Sequence, residues 1–272
     1  MPKDFSASEL GIDIKDYVAT VEIRRPPLNF FDFELIREIA DVYEALDERD
    51  DVRSIMLCAD GKAFCAGADF SSRSDAQLET DDAPGEKSKV DDEGVQHLYV
   101  EATRIFDCKK PTVACVHGAA IGGGLGLAVS ADFRVASPEA RFAANFTRLG
   151  FHPGFGLTHT LPLIVGRQNA NLVFMTSRRF TGEDAYKMGL ADVLVPASEV
   201  RQAAWDLARE IAINSPLGTV STRATMRQGL AKAVKAATDH ELEEQVRLRK
   251  TKDFKEGVRA TAAREIPNFI GA

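Results

Sequence analysis

The sequence predicts an α/β fold, because segments with strand periodicity alternate with segments with helix periodicity. The stretch DYVATVEIRR alternates two sets of side chains as a strand does, and RSIMLCAD follows as a second strand. Between them, FDFELIREIADVYEALDER repeats its apolar residues at helical spacing, and Asp32 stands where an N-cap residue is expected. The chain therefore opens with a strand, a helix and a strand.

The middle of the chain continues this alternation. Residues 71–94 carry few apolar side chains and are predicted to form a mobile surface loop. A helix is predicted from about Val95 to Asp107. It is followed by the strand TVACVH, a glycine-rich turn, a short helix of small residues and the strand DFRVAS.

The C-terminal part is predicted to be mostly helical. TGEDAYKMG has Thr181 as N-cap and Gly189 just after the helix end, and LADVLVP gives one more strand. Helices are predicted over 198–214, 217–248 and 253–264, and their unpartnered amphipathic faces indicate packing on other subunits. We divide the chain into a core over 1–195, which contains the loop 71–94, and a helical oligomerisation region over 196–272.

Composition excludes several classes of function. The 272 residues are 44% hydrophobic and 28% charged, as in ordinary globular proteins. A net charge of -7 without a basic run argues against nucleic-acid binding. The sequence shows no apolar targeting segment or membrane span, so a cytoplasmic protein is predicted. The four cysteines show no CxxC pairing and are expected to be buried free thiols that hold no metal.

Two glycine-centred turns, each after a predicted strand, are the strongest functional signal. They lie in GKAFCAGADF and in IGGGLGLAVSAD. Small side chains let a ligand approach the backbone, and the second turn opens a helix whose first N–H groups are unpaired. An anion or a developing oxyanion fits such a place. The patterns of nucleotide-binding loops and serine hydrolases are absent.

Five ordered blocks resemble the crotonase superfamily, the enoyl-CoA hydratases and isomerases. They are GKAFCAGADF, KKPTVACVHGAAIGGGLGLAVSADFRVAS, LPLIVG, FTGEDAYKMGLADVLVP and DFKEGVRA. The resemblance implies a spiral of ββα units over 1–195, a helical region that forms a homotrimer or homohexamer, and an acyl-CoA thioester as substrate, with no cofactor besides that CoA. It places the oxyanion hole at the backbone N–H groups of Ala66 and Gly123, with Gly122 beside the latter.

The resemblance also implies contacts to the CoA part of the substrate. The backbone from Phe64 to Ala68 would bind the adenine, and Asp69 would hold this loop in place. The candidates for the CoA phosphates are Arg25, Lys62 and Lys255.

The proton-transfer residues of the family are missing. Hydratases of the family carry two glutamates where this chain has Gly126 and Phe146, and several isomerases carry an acid near Gly154. Neither glycine nor phenylalanine can transfer a proton. His152, in the turn FHPGFG, is the predicted catalytic base, with Asp91, Asp92 or Glu93 of the loop as alternatives.

Three functions stay open at this point. The first is an enzyme of the hydratase/isomerase type that acts through a stabilised enolate. The second is a catalytically silent acyl-CoA-binding protein. The third is a crotonase-type decarboxylase or C–C bond hydrolase. Phenylalanines near the expected pocket favour a medium, branched or ring-bearing acyl group, and Phe146 is counted among the substrate contacts.

Overall fold

The computed structural model describes residues 9–70, 89–91 and 94–272. It has the predicted α/β architecture, with strands that belong to two larger sheets and a small hairpin. Most of the predicted loop, including Asp92 and Glu93, lies outside the described residues. No helix in the described ranges is both long and apolar enough to cross a membrane.

A six-stranded sheet forms the main layer. Its strands are β1 (Leu10–Lys15), β2 (Val18–Ile23), β3 (Ser54–Ala59), β7 (Thr112–Val116), β9 (Phe133–Ala136) and β12 (Val193–Leu194), in that spatial order. β1 and β2 pair antiparallel, and every later pair is parallel. Helix α1 (Phe33–Asp47) connects β2 to β3 and begins as predicted, with Asp32 accepting the Leu35 N–H at 3.0 Å.

A four-stranded sheet lies beside the first. Its order is β11 (Phe180–Thr181), β10 (Arg141–Ala143), β8 (Ala119–Ile121) and β4 (Ala63–Cys65). Each of the successive pairs β3 and β4, β7 and β8, and β9 and β10 gives one strand to each sheet. Helix α3 (Gly123–Ser130) follows the second pair and helix α4 (Leu157–Thr176) the third. This repetition is the ββα spiral that the resemblance implied.

The segment around residue 95 differs from the prediction. Lys89–Asp91 (β5) and Gly94–Gln96 (β6) form an antiparallel hairpin, which lies partly inside the predicted loop. Helix α2 (Leu98–Asp107) begins later than expected, because His97 is its N-cap and accepts the Tyr99 N–H at 3.1 Å.

The C-terminal helices follow the predicted order with one correction. After α5 (Gly182–Lys187), which starts with the predicted N-cap Thr181, come α6 (Val200–Ala212), α7 (Pro216–Met226), α8 (Leu230–Arg249) and α9 (Lys252–Ala263). The single helix predicted over 217–248 is two helices. Gly229 separates them with a φ of 79°, a left-handed conformation that ends a helix.

The six-stranded sheet is buried on both faces. One face packs into the main core with α1 and α2, and the other packs against α6. Helix α6 presents the small residues Ala204, Ala208 and Ala212, one turn apart, to the side chains of the central strands. This burial holds the strand ends rigidly, which matters because the turns that follow them build the site.

All four cysteines are buried free thiols, as predicted. Burial raises the pKa of Cys58, Cys65 and Cys115 to about 12 and also raises the pKa of Cys108. The thiolate is the reactive form of cysteine. We therefore expect the native protein to react with an aromatic disulfide reagent near pH 8 only as fast as it unfolds. In guanidinium chloride all four thiols should react at once, and a fast thiol in the native protein would contradict this burial.

Candidate active site

The candidate site lies where two neighbouring parallel strands end side by side. β4 and β8 are paired in parallel, so the turns after them leave the four-stranded sheet at the same edge. A Cβ built on Gly67 would lie 2.7 Å from the Ile121 carbonyl oxygen and 3.6 Å from the Gly123 nitrogen. The two glycine-centred turns of the sequence are therefore in direct contact, and only glycine fits at this approach, where φ is 83°.

In the first turn, some backbone N–H groups form hydrogen bonds within the fold, and another lies at the cavity. The Ala66 N–H donates to the Leu28 carbonyl at 3.0 Å, and the Gly67 N–H donates to the Cys65 thiol. The assignment of an oxyanion donor to Ala66 is therefore corrected, because its hydrogen bond is already made. The next residue, Ala68, lines the cavity.

The second turn shows the same division. The Gly122 N–H donates to the Ala143 carbonyl at 2.8 Å, so this N–H is hydrogen-bonded to strand β10. Gly123 is the first residue of helix α3 and lines the cavity. Among the described residues, no backbone carbonyl accepts from Ala68 or from Gly123. In the described part of the chain, the Ala68 and Gly123 N–H groups are thus left without a carbonyl acceptor where the turns meet. The Gly123 N–H lies at the positive end of a helix.

An aromatic cavity extends from this junction. Phe146 and Phe151 lie in it with ring centroids 5.5 Å apart, and Phe31 and Phe155 with centroids 5.9 Å apart. Three polar side chains also reach it, those of Tyr99, Gln245 and Arg249. The full lining is Phe31, Ala68, Phe70, Leu98, Tyr99, Gly123, Phe146, Phe151, Gly154, Phe155, Gln245 and Arg249.

None of the three positions where relatives would carry an acid offers a proton here. Phe146 is part of the apolar wall. A Cβ on Gly126 would lie 2.6 Å from the Cβ of Phe155, so the Phe155 side chain occupies that place. A Cβ on Gly154 would lie 1.9 Å from the Tyr99 hydroxyl oxygen and 2.6 Å from Nε2 of Gln245. Apolar rings thus occupy the space at Gly126 and Phe146, and a polar pair occupies it at Gly154.

His152 does not lie where a base would be needed. Its side chain is not part of the cavity lining, and its Nδ1 lies 2.8 Å from the Pro153 carbonyl oxygen. Its ring stands 5.9 Å from the ring of His240, on the side of helix α8. The carbonyl of His152 accepts a hydrogen bond from Gln245 at 2.9 Å. This geometry gives no support to the prediction of His152 as catalytic base, because its side chain lies outside the cavity lining.

The polar side chains of the cavity were not predicted from the sequence. The Tyr99 hydroxyl and Nη2 of Arg249 each donate to Oε1 of Gln245 at 2.9 Å. The Arg249 guanidinium also lies 5.7 Å from the centre of the Phe151 ring. One signal was available: Glu241, Gln245 and Arg249 recur every four residues, and one buried face of α8 carries them. Polar residues on the buried face of a helix indicate function or a hydrogen-bond network.

Glu241 fixes the segment that forms one wall of the cavity. Its carboxylate accepts from the Gly156 N–H at 2.7 Å, the Thr158 N–H at 2.9 Å and the Thr158 hydroxyl at 2.6 Å. These groups surround the start of α4, where N–H groups lack helical partners. Burial raises the pKa of Glu241 despite these hydrogen bonds. The carboxylate thereby fixes the start of α4. Gly154 and Phe155 directly precede Gly156 and are held against the cavity in this way.

The residues predicted to contact the substrate lie outside the cavity lining, apart from Ala68 and Phe146. Arg25 is half-buried and pairs with Glu9 and with Asp32, the latter at 2.9 Å. Lys62 is exposed at the start of the first turn, and the Phe64 side chain is fully buried, which leaves only its backbone for a ligand. Asp69 and Lys255 are partly exposed.

Comparison with known proteins decides the family. A family model described as enoyl-CoA hydratase/isomerase matches residues 13–271. The chain belongs to the enoyl-CoA hydratase/isomerase family. It is 31% identical to a peroxisomal Δ(3,5)-Δ(2,4)-dienoyl-CoA isomerase of Arabidopsis thaliana, over 91% of this chain and 90% of that protein. It is 28% identical to a 1,2-epoxyphenylacetyl-CoA isomerase of Escherichia coli, over 93% of this chain and 95% of that protein.

The solved structures agree with this assignment. An enoyl-CoA hydratase/isomerase from Pseudoalteromonas atlantica T6c matches with a TM-score of 0.80 and 26% identity, over 96% of this chain and 100% of that chain. The predicted membership of the crotonase superfamily is confirmed. A member of the enoyl-CoA hydratase/isomerase family is an enzyme of the hydratase or isomerase type.

Proposed function

We propose that the protein acts on an acyl-CoA thioester by stabilising its enolate, with the backbone N–H groups of Ala68 and Gly123 as the oxyanion hole. The observation that supports this most directly is the contact between the two turns, where the neighbouring Ala66 and Gly122 N–H groups are taken by carbonyls. Each such donor stabilises a developing oxyanion by about 2.7 to 4 kcal/mol. CoA is part of the substrate, so the reaction needs no other cofactor.

The proposal favours proton shuttling over hydration. Adding water to an enoyl thioester needs one group to activate the water and another to protonate the α-carbon. Gly126 and Phe146 stand at the positions of the two hydratase glutamates, and rings fill the space around both. The names of the two relatives described above are those of CoA isomerases.

The aromatic lining supports a medium, branched or ring-bearing acyl group, since a wall of phenylalanine rings complements flat or bulky apolar groups. We further propose that Lys62 and Lys255 meet the CoA phosphates. Arg25 supports its loop instead, because it is held by two carboxylates. A homotrimer or homohexamer is consistent with the apolar side chains exposed on or near the C-terminal helices, where Leu217 and Met226 are each 83% exposed.

Incubation with a panel of 2-enoyl and 3-enoyl CoA thioesters in heavy water tests this function. We expect deuterium at a carbon of the product without the mass of an added water. Incubations without protein are the control. Gain of one heavy water would establish hydration instead. Thioesters that bind but never exchange would favour a silent acyl-CoA-binding protein, and loss of carbon dioxide or a shortened acyl chain would favour decarboxylation or C–C cleavage.

A further inference from the structure

The cavity holds one side chain that is suited to carry a proton and that the family pattern does not assign. We propose that the Tyr99 hydroxyl is the acid and base of this active site. The inference rests on the proposed enolate chemistry. It follows from the position of the hydroxyl, from its hydrogen-bond partner and from the cation next to that partner.

The Tyr99 hydroxyl lies in the cavity, next to residue 154. The Tyr99 oxygen lies 1.9 Å from where a Cβ on Gly154 would be, so it occupies the space that a side chain at residue 154 would use. Tyr99 is 8% exposed and lines the same cavity as Ala68 and Gly123. A glycine at residue 154 is therefore required for the hydroxyl to reach this point.

The Tyr99 side chain can transfer a proton. Among the described lining residues, polar side chains occur only on Tyr99, Gln245 and Arg249. Gln245 has no titrating group, and an arginine stays protonated in proteins. A phenol can give and take a proton, as general acid and base catalysis requires. Tyr99 is thus the member of this set with the right chemistry.

The positive charge of Arg249 lies close to the Tyr99 hydroxyl. The Tyr99 oxygen and Nη2 of Arg249 both lie 2.9 Å from Oε1 of Gln245, so the cation is within about 6 Å of the phenol, where it stabilises a phenolate. Titratable groups on the elements around Tyr99 include His97, whose ring centroid is 5.0 Å from that of Tyr99, His152 and Glu241. The carboxylate of Glu241 is turned to Gly156 and Thr158 instead.

The step balances without another reactant. With a 3-enoyl thioester, the phenolate takes a proton from C2, the C2–H electron pair moves into the C1–C2 bond, and the carbonyl oxygen becomes the oxyanion at Ala68 and Gly123. The Tyr99 phenol exchanges this proton with solvent and then donates a proton to C4. The C3=C4 electron pair supplies that new C–H bond while C2=C3 forms and the carbonyl is restored.

Tyr99→Phe tests the assignment, because it removes one oxygen and keeps the ring. We expect deuterium incorporation from heavy water to fall at least about 100-fold. The affinity for an unreactive saturated thioester should change by less than about threefold. Tyr186→Phe, which removes the hydroxyl of a tyrosine that is 51% exposed, is the matched control and should keep the full rate.

The outcomes separate the two proposals. If the wild type exchanges and Tyr99→Phe keeps its rate within about threefold, Tyr99 is not the acid and base, while the enolate proposal stands. If the wild type exchanges no thioester, the proposed function fails first. Should Tyr99→Phe misfold, replacement of all four tyrosines by 3-fluorotyrosine lowers the phenol pKa. The pH dependence of exchange must then move to lower pH, and an unmoved profile overturns the assignment.

Discussion

Gly123→Pro is expected to lower kcat about 10² to 10³-fold relative to Gly123→Ala. Gly123 is the first residue of α3, a position where proline is well tolerated because its fixed φ suits the start of a helix. Proline there removes one N–H group, the proposed oxyanion donor. Alanine keeps that N–H and adds the same Cβ, which in both variants must displace the Phe31 ring 2.2 Å away. The ratio between the variants therefore reports the loss of the donor together with the proline ring carbons that take its place.

The measurement is deuterium exchange or turnover of the best thioester in the panel, together with the thermal midpoint of each variant. Equal rates in folded Gly123→Ala and Gly123→Pro would show that this N–H faces no developing charge. That result would remove the oxyanion hole from the proposal, even with the two turns in contact.

Glu241→Ala is expected to lower the free energy of unfolding by about 3 kcal/mol, because it leaves one buried donor of Gly156 and two half-buried donors of Thr158 without their acceptor. Denaturant titration measures the change. Glu243→Ala on the same helix is the control, since Glu243 is exposed and should shift stability by less than about 0.5 kcal/mol. A loss no larger than that of the control would mean that solvent replaces the carboxylate.

The pH dependence gives this prediction a second measurement. Burial raises the pKa of Glu241 above 4.5, so the folded state binds this proton more tightly than the unfolded state. The stabilisation from that proton is complete below about pH 4.5 and is lost as pH rises through the folded-state pKa. The stability difference between wild type and Glu241→Ala should therefore narrow as pH rises. A difference that widens would contradict the direction of the shift.

Features that depend on local chemistry were predictable from the sequence. Asp32 and Thr181 cap helices because their short side chains reach N–H groups of the next turn, which residue type and spacing reveal. The division of the long C-terminal helix at Gly229 was missed, although glycine is the residue that permits such a break. Its neighbours are good helix formers, so the pattern around it favoured one continuous helix.

For the site, the sequence predicted the individual turns but not the contacts between distant segments. Both glycine turns were found, but the choice between the Ala66 and Ala68 N–H groups depends on Leu28, whose carbonyl takes the first of them. Tyr99 and Gln245 are far apart along the chain and meet only because α2 packs on α8. His152 was predicted because it is a titratable residue in the turn FHPGFG, but residue type does not reveal that its ring lies beside that of His240, outside the cavity lining.

The pairing of β4 with β8 has a consequence for how the enzyme becomes active. The two proposed donors belong to chain segments separated by the whole stretch from Ala68 to Gly123, and the pairing of β4 with β8 brings them together. Closing so long a loop costs entropy that only the formed sheets and core repay. Catalytic competence therefore arises late in folding, as a property of the assembled spiral, and no fragment ending between these strands can retain it.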